Sequence, residues 1–333
     1  MAHLVNLRSS DEGMSGTVVT AYLPSSVHVS IPDMQARREG KTMPLIAEAI
    51  VLGILTGGVY ALMASGLTLI FGVMDIINIA QGILVILGAY LSYALAKFLN
   101  IDLFAGLLLI MPVMFVFGVS IEWLFVRRLQ RDRTTLSILV TFAVALVIEG
   151  ALGYVFTTDL VALHAWYVDA TLRIGNFYLP YIYIFAFVLS VVLLSSLYLL
   201  IYRTRFGLSL RASMQNRTAA YLVGIEIEKV QAVTFGIGVA FAAAGGMAYG
   251  ATNTFNPASS YDLISRLLVI IVLGGMGSLR GALIASIIML VISDVTAVVW
   301  SPVWSSVVFF ALLVLLLRFR PQGLFGRLEG RKQ

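Results

Sequence analysis

Polar side chains inside long apolar stretches are the residues of this sequence that could do chemistry. Asn78 and Gln81 interrupt one such stretch and, being three positions apart, would share one face of a helix. Glu149 lies within the apolar run 135–156. An unpaired amide or carboxylate in lipid is costly, so each of these groups must face protein or water. Two interpretations stay open: the side chains line a path for a polar solute, or they only hydrogen-bond neighbouring helices together.

The sequence contains no arrangement that is typical of an enzyme or a metal site. The three histidines are scattered without metal-ligand spacing, and there is no cysteine. Gly40, Lys41 and Thr42 resemble the end of a nucleotide-binding P-loop, but Gln35 stands where that loop needs a glycine. We therefore expect no catalytic residue, no metal and no cofactor, and we expect any ATP to be bound by another subunit.

Composition decides which kind of structure must position these polar residues. Of the 333 residues 60% are hydrophobic and 12% are charged, whereas an average soluble domain has about 25% charged residues. A soluble fold of this length could not hide so much apolar surface. Soluble enzymes, nucleic-acid-binding domains and disordered scaffolds are therefore poor fits, and no nucleic-acid partner is expected. The remaining class is a protein whose solvent is mostly lipid.

Apolar runs near 18 residues long predict the membrane-spanning helices. They cover 45–73, 82–98, 103–126, 135–156, 181–202, 232–251, 263–279, 281–299 and 303–317. The seventh run has an apolar centre of only about ten residues, too few to cross by itself. We predict an all-α polytopic membrane bundle of eight transmembrane helices, with nine as the alternative.

Three regions differ in character along the chain. Residues 1–44 form a polar tail whose prolines should break any long helix, so it is either a disordered segment or a misplaced start, with Met43 as the real one. A transmembrane domain with a cytoplasmic loop at 203–231 is expected at 45–320, and a cytoplasmic C-terminal tail at 321–333. Basic residues favour the cytoplasmic side, and 15 of the 22 lie within 127–133, 203–229 and 318–332 or at Arg280. These regions share one side if every listed run crosses once; nine crossings would place the N-terminal tail outside and eight would place it inside.

The loop 203–231 is too long and too polar for a simple turn between helices. Residues 211–223 are predicted to form one short helix, with Gly224 at its C-terminal stop. Ala219 and Ala220 would give that helix a small, flat face. The loop is either a docking surface for another protein or an amphipathic linker that rests on the membrane surface.

Several stretches, in the right order, make the family resemblance specific. They are GVYAL at 58–62, GLTLIFGV at 66–73, INIAQG at 77–82, LGAY at 87–90, the Ala219–Ala220 loop ending at Gly224 and Ile225, VLGGMGS at 272–278 with Gly281 and Ala282, and RPQGLFG at 320–326. The sequence resembles the membrane permease subunits of branched-chain amino acid ABC importers, in particular the shorter of the two permeases. The resemblance covers about 45–327.

This resemblance implies a transport subunit of the bacterial inner membrane. Relatives dock a cytoplasmic ATPase through a Glu-Ala-Ala…Gly pattern, which Ala219, Ala220 and Gly224 match. Thr218 replaces the glutamate of that pattern, and Gln81 stands where relatives often carry histidine. The implied coupling loop comprises Asn216, Arg217, Thr218, Ala219, Ala220, Gly224 and Ile225. The implied partners are cytoplasmic ABC ATPase subunits, a second homologous permease, an external solute-binding protein and a small-molecule solute.

A different function class competes with this reading. A stand-alone channel or ion-coupled transporter for a small polar solute such as urea should show a half-to-half repeat or several intramembrane charges along one path. The sequence shows no clear repeat, and Glu149 is nearly alone as a charge inside a run. The solute stays open among branched-chain amino acids, other amino acids or amides, and urea. A homodimer and a heterodimer of permeases also both stay open.

Overall fold

The computed structural model describes residues 31–129, 133–174, 177–320 and 323–325. It divides the chain into two compact units, Met1–Leu45 and Ile46–Gln333. In the first unit the described residues, 31–45, are helical throughout. Pro44 therefore does not end that helix, contrary to the expectation from composition, whereas the prediction for residues 1–30 lies outside the described residues.

Helices make up nearly all of the regular structure. They are α1 (Ile31–Met74), α2 (Gln81–Leu99), α3 (Leu103–Ile121) with a π-helical extension (Glu122–Val126), α4 (Arg133–Phe156), α5 (Trp166–Asp169), α6 (Tyr181–Arg203), α7 (Arg205–Gln215), α8 (Arg217–Leu222), α9 (Ile227–Thr252), α10 (Ser259–Gly274), α11 (Leu279–Val299) and α12 (Pro302–Phe319). One antiparallel hairpin, β1 (Thr171–Ile174) and β2 (Phe177–Pro180), pairs Thr171 with Pro180. The all-α class is confirmed.

Eight of these helices are long and apolar enough to span a membrane among the described residues. They are α1 from Leu45 onward, α2, α3 with its π-helical extension, α4, α6, α9, α11 and α12. The prediction of eight spans is confirmed. Helix α10 falls short because its 16 residues give a length of about 24 Å, less than the roughly 30 Å of a hydrocarbon core.

The described parts of the predicted basic regions converge on one face of the second unit, here called the basic face. Arg127 at the end of the third span is ion-paired with Glu228 at the start of α9. Gly72 near the end of α1 packs against Met214 of α7 and against Gly277 after α10. Because α10 also runs toward this face, the described part of the chain makes nine passages of alternating direction, although only eight of its helices are long enough to span. The span within α1 therefore starts on the opposite side.

Helix α9 forms the centre of the bundle, and small residues let other helices approach it closely. A Cβ added at Gly246 would lie 2.0 Å from the carbonyl oxygen of Val85 in α2. A Cβ added at Gly66 of α1 would lie 2.5 Å from the carbonyl oxygen of Gly238. Without a driving force from water inside lipid, such backbone-to-backbone packing is what holds membrane helices together.

Two helices begin beside the middle of α9 rather than at a membrane surface. The Gln81 side chain, at the first residue of α2, contacts Gly238, which lies 11 residues after the start of α9 and 14 before its end. The next residue, Gly82, packs directly on Ser260 at the start of α10. Interrupted helices whose ends meet inside the membrane are typical of transporter sites.

Candidate functional site

The segment 75–80 carries the chain from the basic face to the start of α2, and its polar side chains are enclosed. Asn78 Nδ2 donates to Gln81 Oε1 at 3.2 Å, and Gln81 Nε2 donates to the Gly238 carbonyl at 3.3 Å. Both side chains are fully buried. The Asn78 Oδ1 atom is buried and has no hydrogen-bond partner among the described residues.

A threonine that the sequence analysis did not identify supplies a hydrogen-bond partner for the backbone of the segment 75–80. Thr141 Oγ1, on α4, accepts a hydrogen bond of 3.1 Å from the backbone N–H of Ile79. The bond gives a non-helical backbone group inside the membrane the partner it needs. One threonine in an apolar helix gives little sequence signal, because its hydroxyl can also bond its own preceding turn. The enclosed geometry fits hydrogen-bonding between helices, and a path-lining role for Asn78 and Gln81 stays a prediction.

Glu149 belongs to a different cluster from the two amides. Its Oε2 accepts a hydrogen bond of 2.6 Å from the Tyr261 hydroxyl, at the beginning of α10. Thr141, which contacts the 75–80 segment, lies eight residues earlier on the same helix, about 12 Å away along its axis. The structure therefore places Glu149 beside α10, away from Asn78 and Gln81 along α4.

Helix α10 has two different faces. Leu263, Ile264 and Leu267 are buried against the bundle. The other face carries a line of polar residues, here called the α10 polar stripe: Tyr261, Asp262, Ser265 and Arg266. Arg266 Nε donates to Asp262 Oδ2 at 2.9 Å, and the two side chains are 19% and 54% exposed.

The α10 polar stripe corrects the expectation that Glu149 is nearly alone as an intramembrane charge. The apolar run at 263–279 begins one residue after Asp262, and apolar run length alone does not single out Arg266 within it. The available signal was the four-residue spacing of an acid and a base, which places both on one side of a helix.

The predicted coupling loop contains two short helices where sequence analysis predicted one helix at 211–223. Helix α7 ends at Gln215 and α8 begins at Arg217, because Asn216 adopts an extended backbone and caps α8. Its Oδ1 accepts the Ala219 N–H at 3.0 Å, as expected for asparagine at an N-cap. The predicted stop at Gly224 is confirmed, since its φ is +84° and its N–H donates to the Tyr221 carbonyl at 3.0 Å.

Only part of the predicted docking face is accessible. Ala219 and Thr218 are exposed, but Ala220 is 3% exposed and packs into the protein. The surface of α8 and its turn instead presents three apolar side chains, Tyr221, Leu222 and Val223, here called the α8 ridge. Leu222 is 78% exposed. The prediction of a flat face made by both alanines is therefore right for Ala219 and wrong for Ala220. Sequence analysis did not identify the α8 ridge beside it.

Arg217 connects α8 to the end of the first span. Its Nη2 donates to the Val73 carbonyl at 2.7 Å and lies 3.2 Å from Asp75 Oδ2. The Asp75 carbonyl in turn accepts from Thr134 Oγ1 at 3.2 Å. Through these contacts the predicted coupling loop is joined to the residue from which the segment 75–80 departs.

Comparison with known proteins gives consistent matches. The family described as "Branched-chain amino acid transport system / permease component" matches residues 49–317. The high-affinity branched-chain amino acid transport system permease protein BraD of Pseudomonas aeruginosa is 29% identical over 86% of this chain and 97% of its own length. LivH of Escherichia coli K12, described in the same words, is 28% identical over 84% of this chain and 95% of its own length. LivM of the same organism is 28% identical over 37% of this chain and 29% of its own length. No solved structure matches the chain.

Proposed function

The chain belongs to the family of branched-chain amino acid transport permeases, and from that premise we propose that it is the membrane-spanning subunit of an ATP-binding-cassette importer. The importer carries branched-chain or related amino acids across the bacterial inner membrane. A separate cytoplasmic ATPase supplies the energy, and an external binding protein delivers the solute. The partial match to a second permease, LivM, supports a homologous permease as the partner within the membrane.

The observation that carries this proposal is the series of contacts that connects the α8 ridge to the non-helical segment 75–80 and the start of α2. The ridge is apolar, exposed and on the basic face, where an ATPase groove would cover it. Arg217 holds α8 to Val73 and Asp75. From Asp75 the segment 75–80 leads to Gln81, whose amide is bonded to the centre of α9. A displacement of α8 by the ATPase would thus act on the start of α2 inside the membrane.

Reconstitution tests the proposal directly. The chain is purified together with the ATPase, second permease and binding protein encoded by its own genome, and the complex is placed in lipid vesicles. We expect leucine uptake that requires ATP, the ATPase subunit and the binding protein together. Uptake that continues without the ATPase would refute the proposal.

An ion-coupled transporter is the second candidate, because the α10 polar stripe supplies the intramembrane charges that such a mechanism needs. It predicts uptake driven by an imposed proton or sodium gradient in vesicles that hold this chain alone. Two vesicle preparations separate the two functions. Vesicles with this chain alone are assayed with and without each ion gradient, and vesicles with the complete complex are assayed with and without ATP.

A further inference from the structure

The α10 polar stripe lies deep in the membrane region. Asp262 precedes the end of α10 on the basic face by 12 residues, which is about 18 Å of helix. Tyr60 precedes the end of α1 on that face by 14 residues, about 21 Å. Asp294 follows the start of α11 on that face by 15 residues, about 22 Å. Three helices thus bring ionisable side chains to a similar depth, well inside a hydrocarbon core of roughly 30 Å.

These side chains are near enough to interact. Tyr60, 8% exposed, experiences the charges of Arg266, Asp262 and Asp294. Asp294 Oδ2 accepts a hydrogen bond of 3.4 Å from Thr56 Oγ1, and it also interacts electrostatically with Arg266.

The charges of this cluster do not balance, and some of its hydrogen-bond donors have no partner among the described residues. Asp262 is ion-paired with Arg266, and Asp294 interacts electrostatically with the same guanidinium, so these three side chains, when ionised, carry one unbalanced negative charge. Arg266 donates through Nε to Asp262, and its guanidinium lies over the Phe309 ring, 5.6 Å from the ring centroid. Neither Nη group has a hydrogen-bond partner among the described residues. A ligand that bears both an anionic and a cationic group would satisfy both sides.

The exposure of the carboxylate half of the Arg266–Asp262 pair argues against a purely structural ion pair, although Arg266 itself is only 19% exposed. A pair that holds helices together should lie on the packed face, where Leu263 and Leu267 are buried. The Asp262 side chain is instead 54% exposed. Charges exposed in lipid are strongly disfavoured, so this face must border water or a polar partner.

We infer that the α10 polar stripe, together with Asp294 of α11, is a binding site on the translocation path for the zwitterionic head of an α-amino acid, with Arg266 binding the carboxylate and Asp294 and Asp262 the ammonium group. The inference rests on the proposed function and locates its solute within this chain. The guanidinium can hold a carboxylate through two parallel hydrogen bonds, which a lysine cannot reproduce. The external binding protein would then deliver the solute to a permease that recognises the head group again.

Uptake and ATP hydrolysis in the reconstituted complex test the site. Arg266→Gln, Arg266→Lys and Asp294→Asn should each lower leucine uptake at least tenfold, while hydrolysis stimulated by the loaded binding protein stays within twofold of wild type. Arg318→Gln, which removes an exposed arginine in the last turn of α12, should change neither. Unchanged uptake in the Arg266 and Asp294 variants, with a transporting wild type, overturns the site alone. Absence of ATP-driven uptake in wild type overturns the proposed function and the site with it.

Direct binding separates a solute site from an ion pair that only supports the fold. In nanodiscs without the binding protein, millimolar L-leucine should raise the melting temperature of the wild-type complex. Leucinamide, which lacks the carboxylate, and 4-methylpentanoate, which lacks the ammonium group, should not. Equal stabilisation by leucinamide overturns the role of Arg266. Wild-type uptake by the double variant Asp262→Arg with Arg266→Asp overturns the site, because a structural pair survives exchange of its charges and an oriented site does not.

Discussion

Replacing Gly224 with alanine asks whether the turn after α8 sets the docking surface. The φ of Gly224 is +84°, and a Cβ built there would meet no atom within 4 Å. The substitution therefore causes no clash, and its cost is conformational alone. For an L-residue in left-handed backbone that cost is about 1–2 kcal/mol, which lowers the population of the native turn relative to its alternatives by roughly 5- to 30-fold.

Two further variants isolate this conformational effect. Gly153→Ala is the matched control, because a Cβ at Gly153 also meets no atom within 4 Å but the residue lies inside helix α4, where alanine is favoured. Gly224→Asn is the rescue, since asparagine tolerates the left-handed conformation better than other residues with a side chain.

The assay combines ATPase pull-down from detergent extracts with ATP-driven uptake in reconstituted vesicles. We expect Gly224→Ala to insert at wild-type levels but to retain less ATPase and to take up several-fold less leucine. Gly224→Asn should recover most of both, and Gly153→Ala should lose neither. If Gly224→Ala behaves as Gly153→Ala does, the turn does not set the docking surface, and the surface lies elsewhere on the basic face, for example near Arg127.

Three other substitutions test separate contacts. Arg217→Gln should leave most of the protein folded, because it removes a partly exposed ion pair, which contributes about 0.2–1 kcal/mol, and a hydrogen bond to the Val73 carbonyl, which contributes about 1.5–3 kcal/mol. It should nevertheless lower uptake several-fold with ATPase pull-down retained, and equal uptake would contradict the proposed connection. Gln81→Leu removes the hydrogen bond to the Gly238 carbonyl. It should lower the free energy of unfolding by roughly 1–3 kcal/mol, because a buried polar group loses its partner, and it should therefore lower the yield of folded protein. A normal yield with lost uptake would instead favour a role of Gln81 in lining the transport path. Gly246→Ala would force a Cβ to 2.0 Å from a backbone oxygen of α2, so size-exclusion profiles should show loss of folded protein, whereas Gly150→Ala, with open space around it, should be neutral.

The features that sequence predicted are those that local chemistry decides. Lipid as the solvent requires long apolar helices, so the eight spans could be counted from composition and run length. Gly224 could be predicted as a turn because glycine adopts positive φ without a steric penalty. The basic segments could be assigned to one side because arginine and lysine are costly to move across a membrane.

The features that sequence missed depend on which helix packs against which. Ala220 and Ala219 are identical and adjacent, yet only Ala220 is buried, because the bundle lies on one side of α8. The break at Asn216 needed its cap to the Ala219 N–H, which competes with a continuous helix. The α10 polar stripe was hidden because hydropathy averages a short helix over both faces and so favours the apolar one.

The contact between α2 and α10 gives the two proposals a common physical basis. Gly82 packs on the carbonyl oxygen of Ser260 so closely that an added Cβ would lie 2.4 Å from it. Backbone in such close contact cannot be compressed, so a shift of the start of α2 toward α10 must displace the start of α10 as well. The start of α2 is connected to the predicted coupling loop through the Asn78–Gln81 hydrogen bond, the main chain from Asp75 to Gln81 and the ion pair of Asp75 with Arg217. The start of α10 carries Tyr261 and Asp262 of the polar stripe. An ATPase that moves α8 would therefore move, through main chain and two buried amides, the helix that we infer holds the amino acid.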